Sequence, residues 1–186
     1  MQYRIALTGA QGTGKSTLAR QLGNALLPLT EARVVVVSGL GGFAAAARLE
    51  TGEHADATTL RALVQWHLQR EAAASTAGLV TIFDRCLLDT LAYAEVLGCL
   101  PAGELAELRT AAGRSSRSFH QMLFLRITGD HPVTTAQDET PQFRRAIEVA
   151  IAGAAAALEL TLLECRLPPQ HANDVLASMW AHSRSC

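Results

Sequence analysis

The chain has 186 residues, 49% of them apolar and 18% charged, with a formal net charge of −1. A chain of this length can bury a sizeable core unaided, and its balanced charge gives no global pull toward nucleic acid or an anionic membrane. No apolar run reaches the ~18 to 20 residues that span a bilayer, Met1–Leu7 is too short for a signal-peptide core, and the expected compartment is the cytoplasm.

In chain order, Tyr3–Leu7 (YRIAL) reads as a short buried strand ending at Thr8-Gly9. Ser16–Leu27 reads as a helix, with Leu18, Leu22 and Leu26 four apart on one face and Pro28 just past its end. Arg33–Val37 (RVVVV) is an uninterrupted β-branched run, expected as a fully buried strand. Ser38–Gly42 is expected as a glycine-rich loop. Thr58–Ser75 reads as a helix with Asp56 as its cap. Leu79–Phe83 (LVTIF) is a third strand, with Asp84-Arg85 at its C-terminal end.

Leu87–Leu97 reads as a helix, and so does Pro101–Ala112, with the proline at its start. Gln121–Ile127 is a fourth strand. Gly129–Pro141 is polar, carries two prolines and reads as a mobile loop. Gln142–Leu158 is a long alanine-rich helix, Leu160–Glu164 a fifth strand and Asn173–His182 a closing helix. Strands that alternate with helices mean βαβ units: an α/β fold with a parallel sheet covered on both faces, in a single domain over 1–186.

Gly9-Ala10-Gln11-Gly12-Thr13-Gly14-Lys15-Ser16 matches G-x-x-x-x-G-K-[ST] at every fixed position, between a strand and a helix. This is a P-loop, and it predicts binding of ATP or a similar triphosphate with Mg2+. Gly9, Gln11, Gly12, Thr13 and Gly14 supply a turn whose bare N–H groups face phosphate oxygens. Lys15 would reach the β- and γ-phosphates, Ser16 would ligate magnesium and Thr17 would bond the α-phosphate. Fifteen of the 16 basic side chains are arginine, and the single lysine is Lys15. A compact ammonium suits a place between phosphates better than a flat guanidinium.

Asp84 ends an apolar parallel strand, so it is expected beside the Gly9–Ser16 loop. It could hold magnesium or take the proton of an attacking hydroxyl. Arg85 could pair with an acceptor phosphate or with charge on the transferred group. The bland alternative is an Asp-Arg turn that caps the next helix. After the polar loop, Arg144 and Arg145 could bring positive charge to the phosphates; the alternative is a solvated helix face. Arg109, Arg114, Arg117 and Arg126 form a stretch without acidic residues, readable as a basic patch for a polymeric acceptor or as a solvated surface. Arg48, His54, Trp66 and His67 lie where an acceptor is expected. Trp66 could stack on a base or sit in the core, and two histidines without spaced partners are not a metal site. Cys86, Cys99, Cys165 and Cys186 lack close spacing and read as free thiols.

The stretches GAQGTGKSTLARQLG (Gly9–Gly23) and DRCLLDTLAYA (Asp84–Ala94), and more weakly QFRRAIEVAI (Gln142–Ile151), resemble the small P-loop kinases, including thymidylate and deoxynucleoside kinases. The similarity looks closest to ribosylnicotinamide-kinase-like ATPases. It implies a three-layer P-loop NTPase fold with a five-stranded parallel sheet in the order 2-3-1-4-5 and a lid at about 129–145. It also implies transfer of the ATP γ-phosphoryl to a small acceptor, with Lys15, Ser16, Asp84, Arg85 and Arg144 functional and Asp89 and Tyr93 supporting. Such kinases often carry a carboxylate after the second strand, whereas Val37-Ser38-Gly39 has none; Asp84 is then the base expected from sequence, and a hydroxyl the expected acceptor. Two further readings are a kinase acting on a hydroxymethylated pyrimidine in DNA and an ATP-dependent regulatory switch without acceptor. No membrane partner is expected.

Overall fold

A computed structural model of the chain describes residues 2–30, 33–38, 40–74, 79–128, 139–165, 173, 175 and 176. Five strands, β1 (Tyr3–Thr8), β2 (Arg33–Val37), β3 (Leu79–Asp84), β4 (Gln121–Leu125) and β5 (Leu163–Cys165), form one sheet in the order β2-β3-β1-β4-β5. Every pairing is parallel. Helices α1 (Lys15–Leu26), α2 (Leu40–Ala46), α3 (Ala57–Ala73), α4 (Leu87–Leu97), α5 (Ala102–Ser116) and α6 (Pro141–Ala157) connect the strands. This is the three-layer α/β arrangement and strand order that the resemblance implies.

The apolar runs build two cores, one on each face of the sheet. Leu18, Leu22 and Leu26 of α1 pack on Ile5, Leu7, Ile82 and Leu123. Arg20 and Asn24, on the other side of α1, are exposed. On the opposite face, Phe83 and Phe124 meet Leu87, Leu88 and Leu91 of α4 together with Ile147 and Ile151 of α6. Leu87 to Ala94 are all buried, because α4 lies under α5 and α6 and against α3. A helix that is apolar all round needs such a place.

Two expectations are corrected. The β2 valines are half-buried, because β2 is an edge strand paired only with β3. Ser38–Gly42 is not simply a loop. Leu40 already starts α2, which runs through Gly41 and Gly42 into Phe43 and the alanines. Tertiary packing overrides the low helix propensity of two glycines there. Elsewhere, element type agrees and ends shift by a few residues. Asp56 Oδ1 caps α3 by accepting from Thr59 N at 2.7 Å. The expected loop at Gly129–Pro141 lies outside the described residues except for Glu139, Thr140 and Pro141, which opens α6. Of the closing helix only residues 173, 175 and 176 are described, and they are helical.

The register matters for the site. Leu7 of β1 stands opposite Asp84 of β3, and Arg85 N donates to Leu7 O at 3.0 Å. The C-terminal end of β3 therefore lies beside the chain's exit from β1 into the glycine loop, as parallel strands dictate.

Candidate nucleotide site

The loop between β1 and α1 owes its path to three glycines. Gly9, Gly12 and Gly14 have φ of 148°, 73° and 86°, values that side chains disfavour. Gly9 is doubly required, since a Cβ there would lie 2.5 Å from Leu125 O. Lys15 is 4% exposed and folds over the loop. Its Nζ donates to Gly9 O at 2.8 Å, to Ala10 O at 2.5 Å and to Thr13 Oγ1 at 3.3 Å. Burial pulls the Lys15 ammonium down to about 7; Arg85 adds to the shift, and Asp89, Asp84 and Glu139 oppose it. Ser16 and Thr17 open the first turn of α1 on its solvent side.

Asp84 is the last residue of β3, and its Oδ2 accepts from Ser16 Oγ at 2.6 Å. It does not cap α4. That role falls to Asp89, whose Oδ2 accepts from Cys86 N at 2.9 Å while Oδ1 accepts from Gly9 N at 3.2 Å. One buried carboxylate thus ties the start of the glycine loop to the start of α4. Arg85 adopts φ 72°, a left-handed conformation for a non-glycine residue. Its guanidinium lies 3.8 Å from Asp89 Oδ1 and over the Tyr93 ring.

The Asp84-Arg85 turn is held from behind by Arg70 of α3, which donates to Asp84 O at 3.2 Å and to Arg85 O. Arg70 is itself packed over the Trp66 indole, 4.3 Å from its centroid. Sequence reasoning missed Arg70, since an arginine near the end of a helix reads as a solvated residue. Burial lowers its pKa to about 10, against the pull of neighbouring acidic groups, Cys86 first.

Beyond the loop a cavity of about 850 Å³ runs between the P-loop, the end of β3, α2 and α3. Lys15, Ser16, Asp84, Arg85, Asp89 and Tyr93 share its wall with apolar side chains such as Leu40, Leu60 and Leu63. A second carboxylate that sequence reasoning missed, Glu139, also lines it. Its Oε1 accepts from Tyr93 Oη at 2.5 Å. Burial raises the Glu139 pKa; the Tyr93 bond and the charges of Arg85, Lys15 and Arg144 act the other way.

Arg144, on the first turns of α6, is 7% exposed and donates from Nε to Gln11 O at 2.9 Å, so it reaches the P-loop. Arg145 is exposed. Three of the four arginines between 109 and 126 have partners elsewhere. Arg109 pairs with Glu95 at 2.7 Å, Arg117 donates to Leu158 O at 3.0 Å, and Arg126 lies between Glu148 and Glu164 at 3.4 and 3.5 Å. Trp66 stacks on Phe43 at 5.4 Å and is absent from the cavity wall. His67 is 1% exposed and does line the cavity, whereas Arg48 and His54 are exposed and outside it. Cys86, Cys99 and Cys165 are free.

The donors suit magnesium and a triphosphate. Ser16 Oγ and Asp84 Oδ2 are hard oxygen donors at one edge of the cavity. A metal that keeps several waters and shares phosphate oxygens needs only one or two protein ligands. No group of three or more His, Cys, Asp or Glu able to hold a metal occurs among the described residues. No helix among them is long and apolar enough to cross a membrane.

The comparisons with known proteins agree with this architecture. No curated protein matches the sequence. A NadR structure in complex with NAD and AMP-PNP superposes with a TM-score of 0.69 at 13% identity, covering 96% of this chain and 49% of that one. This chain therefore spans about half the length of that protein. A thymidylate kinase from Ehrlichia chaffeensis gives a TM-score of 0.64 at 11% identity, with 96% and 98% of the two chains covered. A deoxyadenosine kinase from M. mycoides, with dCMP and a flexible dCDP bound, gives 0.62 at 12% identity, with 96% and 99% covered. A family model described as an AAA domain matches residues 4–168. The chain belongs to that AAA domain family and has the fold of the small P-loop nucleoside and nucleotide kinases.

Proposed function

We propose that the chain is an ATP-dependent phosphotransferase that moves the γ-phosphoryl to a hydroxyl of a small acceptor. The observation that carries the reading is the Ser16–Asp84 pair standing at the edge of a cavity that continues past the P-loop to α2 and α3. A hydrolase or switch needs the first part only. A kinase also needs enclosed space beside the phosphates, and 850 Å³ is ample for a small molecule.

Each residue then has a task. The amides of the Gly9–Gly14 turn and the N-terminus of α1 bind phosphate oxygens. Lys15 leaves the loop carbonyls for phosphate and spreads the charge that builds up during transfer. Arg144 anchors the start of α6 on the loop. Ser16 and Asp84 hold magnesium, which when bound supplies positive charge to the phosphate oxygens. The short Ser16–Asp84 bond favours this metal-side role for Asp84 over the base role. Arg85, braced by Arg70, turns its charge toward the cavity. Arg109, Arg117 and Arg126 have partners within the domain, which favours a small acceptor over DNA.

Equilibrium titration with a nonhydrolysable ATP analogue, with and without magnesium, tests the nucleotide half of the reading. Wild-type protein should bind in a magnesium-dependent way, and Ser16→Ala should lose that dependence while staying folded. Binding indifferent to magnesium in the wild type would count against the assignment.

A further inference from the structure

The cavity wall at α2 is a short helix with little burial. It has seven residues, two of them glycines, and only Ala44 is buried. A Cβ at Gly41 or Gly42 would meet nothing within 4 Å. Yet Leu40, Gly41 and Ala44 line the cavity. A helix this short gains little from its own hydrogen bonds and depends on what it packs against. Phe43 fastens it to α3: its ring stacks on the Trp66 indole at 5.4 Å, with 20° between the planes.

The stack continues to Arg70. This residue lies one turn after Trp66 on α3, where side chains four apart share a face. Its guanidinium carbon lies over the indole, 4.3 Å from the centroid. Arg70 is buried, and its Nε has no hydrogen-bond partner among the described residues. None of the ion pairs among those residues includes it. Its orientation therefore depends on ring faces, Trp66 first and Phe83 at 5.8 Å. Phe83 is fully enclosed in the core, whereas Trp66 is half-buried and has Phe43 against it.

Arg70 in turn donates to Asp84 O and Arg85 O. Arg85 keeps φ 72°, a conformation that lasts only where the surroundings enforce it.

We infer that Phe43 and Trp66 are positioning residues for the Asp84-Arg85 turn: the stack Phe43–Trp66–Arg70 ties the cavity wall at α2 to the carbonyls of that turn. Neither ring lines the cavity, so both act through Arg70. The effect on turnover rests on the phosphotransferase reading; the tie itself does not.

Hydrogen exchange of the full chain, followed by mass spectrometry over Asp84–Asp89, tests the tie without any acceptor. Arg85 N is bonded to Leu7 O and Cys86 N to Asp89 Oδ2, so both report on the turn. Phe43→Leu should speed their exchange by about threefold or more while β4 and α6 stay unchanged. Phe43→Tyr, which keeps the ring, should restore the protection. Trp66→Leu should act as Phe43→Leu does, and it serves if that variant does not fold. In Mg-ATP turnover, Phe43→Leu should lower kcat by about threefold or more with nucleotide affinity within about twofold. Added to Arg70→Met it should lower kcat no further, because residues that act through one another do not add. Unchanged exchange at Arg85 and Cys86, exchange that quickens equally along the whole chain, no rescue by Phe43→Tyr, or independent effects of Phe43→Leu and Arg70→Met would each overturn the inference. No turnover at all by wild-type protein that binds Mg-nucleotide would strike the phosphotransferase reading instead, and the exchange result would still decide the tie.

Discussion

Ser16 Oγ donates to Asp84 Oδ2 at 2.6 Å, a bond that joins the first turn of α1 to the last residue of β3 across 68 positions of sequence. Strand order makes it possible, since β1 and β3 are neighbours and end at the same edge. A hydroxyl and a carboxylate so close form an oxygen pair suited to magnesium rather than a base poised for an acceptor proton. Asp84→Asn should therefore cut turnover by ~10² or more and weaken Mg-nucleotide binding in parallel. Titrating the variant with nucleotide at several magnesium concentrations checks this. Full magnesium-dependent affinity with lost turnover would return Asp84 to the base role.

Arg70 makes a different prediction, because it touches the site only through backbone. It holds the carbonyls of Asp84 and Arg85, and Arg85 sits at a positive φ that needs such support. Arg70→Met keeps much of the packing on Trp66 but leaves those carbonyls without their donor. We expect a loss of roughly 2–4 kcal/mol of stability by urea unfolding. We also expect a fall in kcat larger than any change in nucleotide Kd, because the turn, not the P-loop, is loosened. A variant as stable and as active as the wild type would show that the turn holds itself.

His67 links the cavity to pH. Burial, then the charges of Arg70 and Arg85, hold its pKa well below the ordinary 6.5. As pH falls below 6.5 the unfolded chain takes up a proton that the folded chain refuses, so folding stability drops with acid. One such group contributes at most about 1.4 kcal/mol per pH unit. His67→Gln lacks this proton, so the stability gap between wild type and variant should shrink by about 1 kcal/mol between pH 6.5 and pH 5.5. Urea unfolding of both proteins at the two pH values measures it. A constant gap would mean that the folded chain accepts the proton.

Much of the fold was legible because it is locally encoded. The apolar runs at Tyr3–Leu7 and Leu79–Phe83, the Leu18-Leu22-Leu26 stripe and the Asp56 cap are statements about neighbours in sequence, and the structure has each. The glycine loop was legible because its residue types answer to backbone geometry alone. What stayed hidden depends on distant contacts. The β2 valines look like an interior strand, but their burial is set by a position at the sheet edge. Gly41-Gly42 looks like a loop until packing makes it helix. Arg70 and Glu139 could not be recognised, since one acts on residues 14 and 15 positions away and the other meets Tyr93 across 46. An isolated glutamate ahead of a helix reads as a solvated charge. The arginines at 109, 117 and 126 look like an unbalanced run of cations in sequence, because their carboxylate and carbonyl partners lie on other elements.

The central claim is transfer of the γ-phosphoryl to an acceptor rather than to water. The direct measurement incubates the full chain with magnesium and γ-labelled ATP, with and without small hydroxyl-bearing acceptors such as nucleosides and nucleotides, and follows where the label goes. The label should move to an acceptor hydroxyl faster than it appears as inorganic phosphate. Lys15→Ala, folded, should lose ~10² or more of that transfer. Label released only as phosphate at a rate indifferent to every acceptor, or transfer undiminished in Lys15→Ala, would contradict the account.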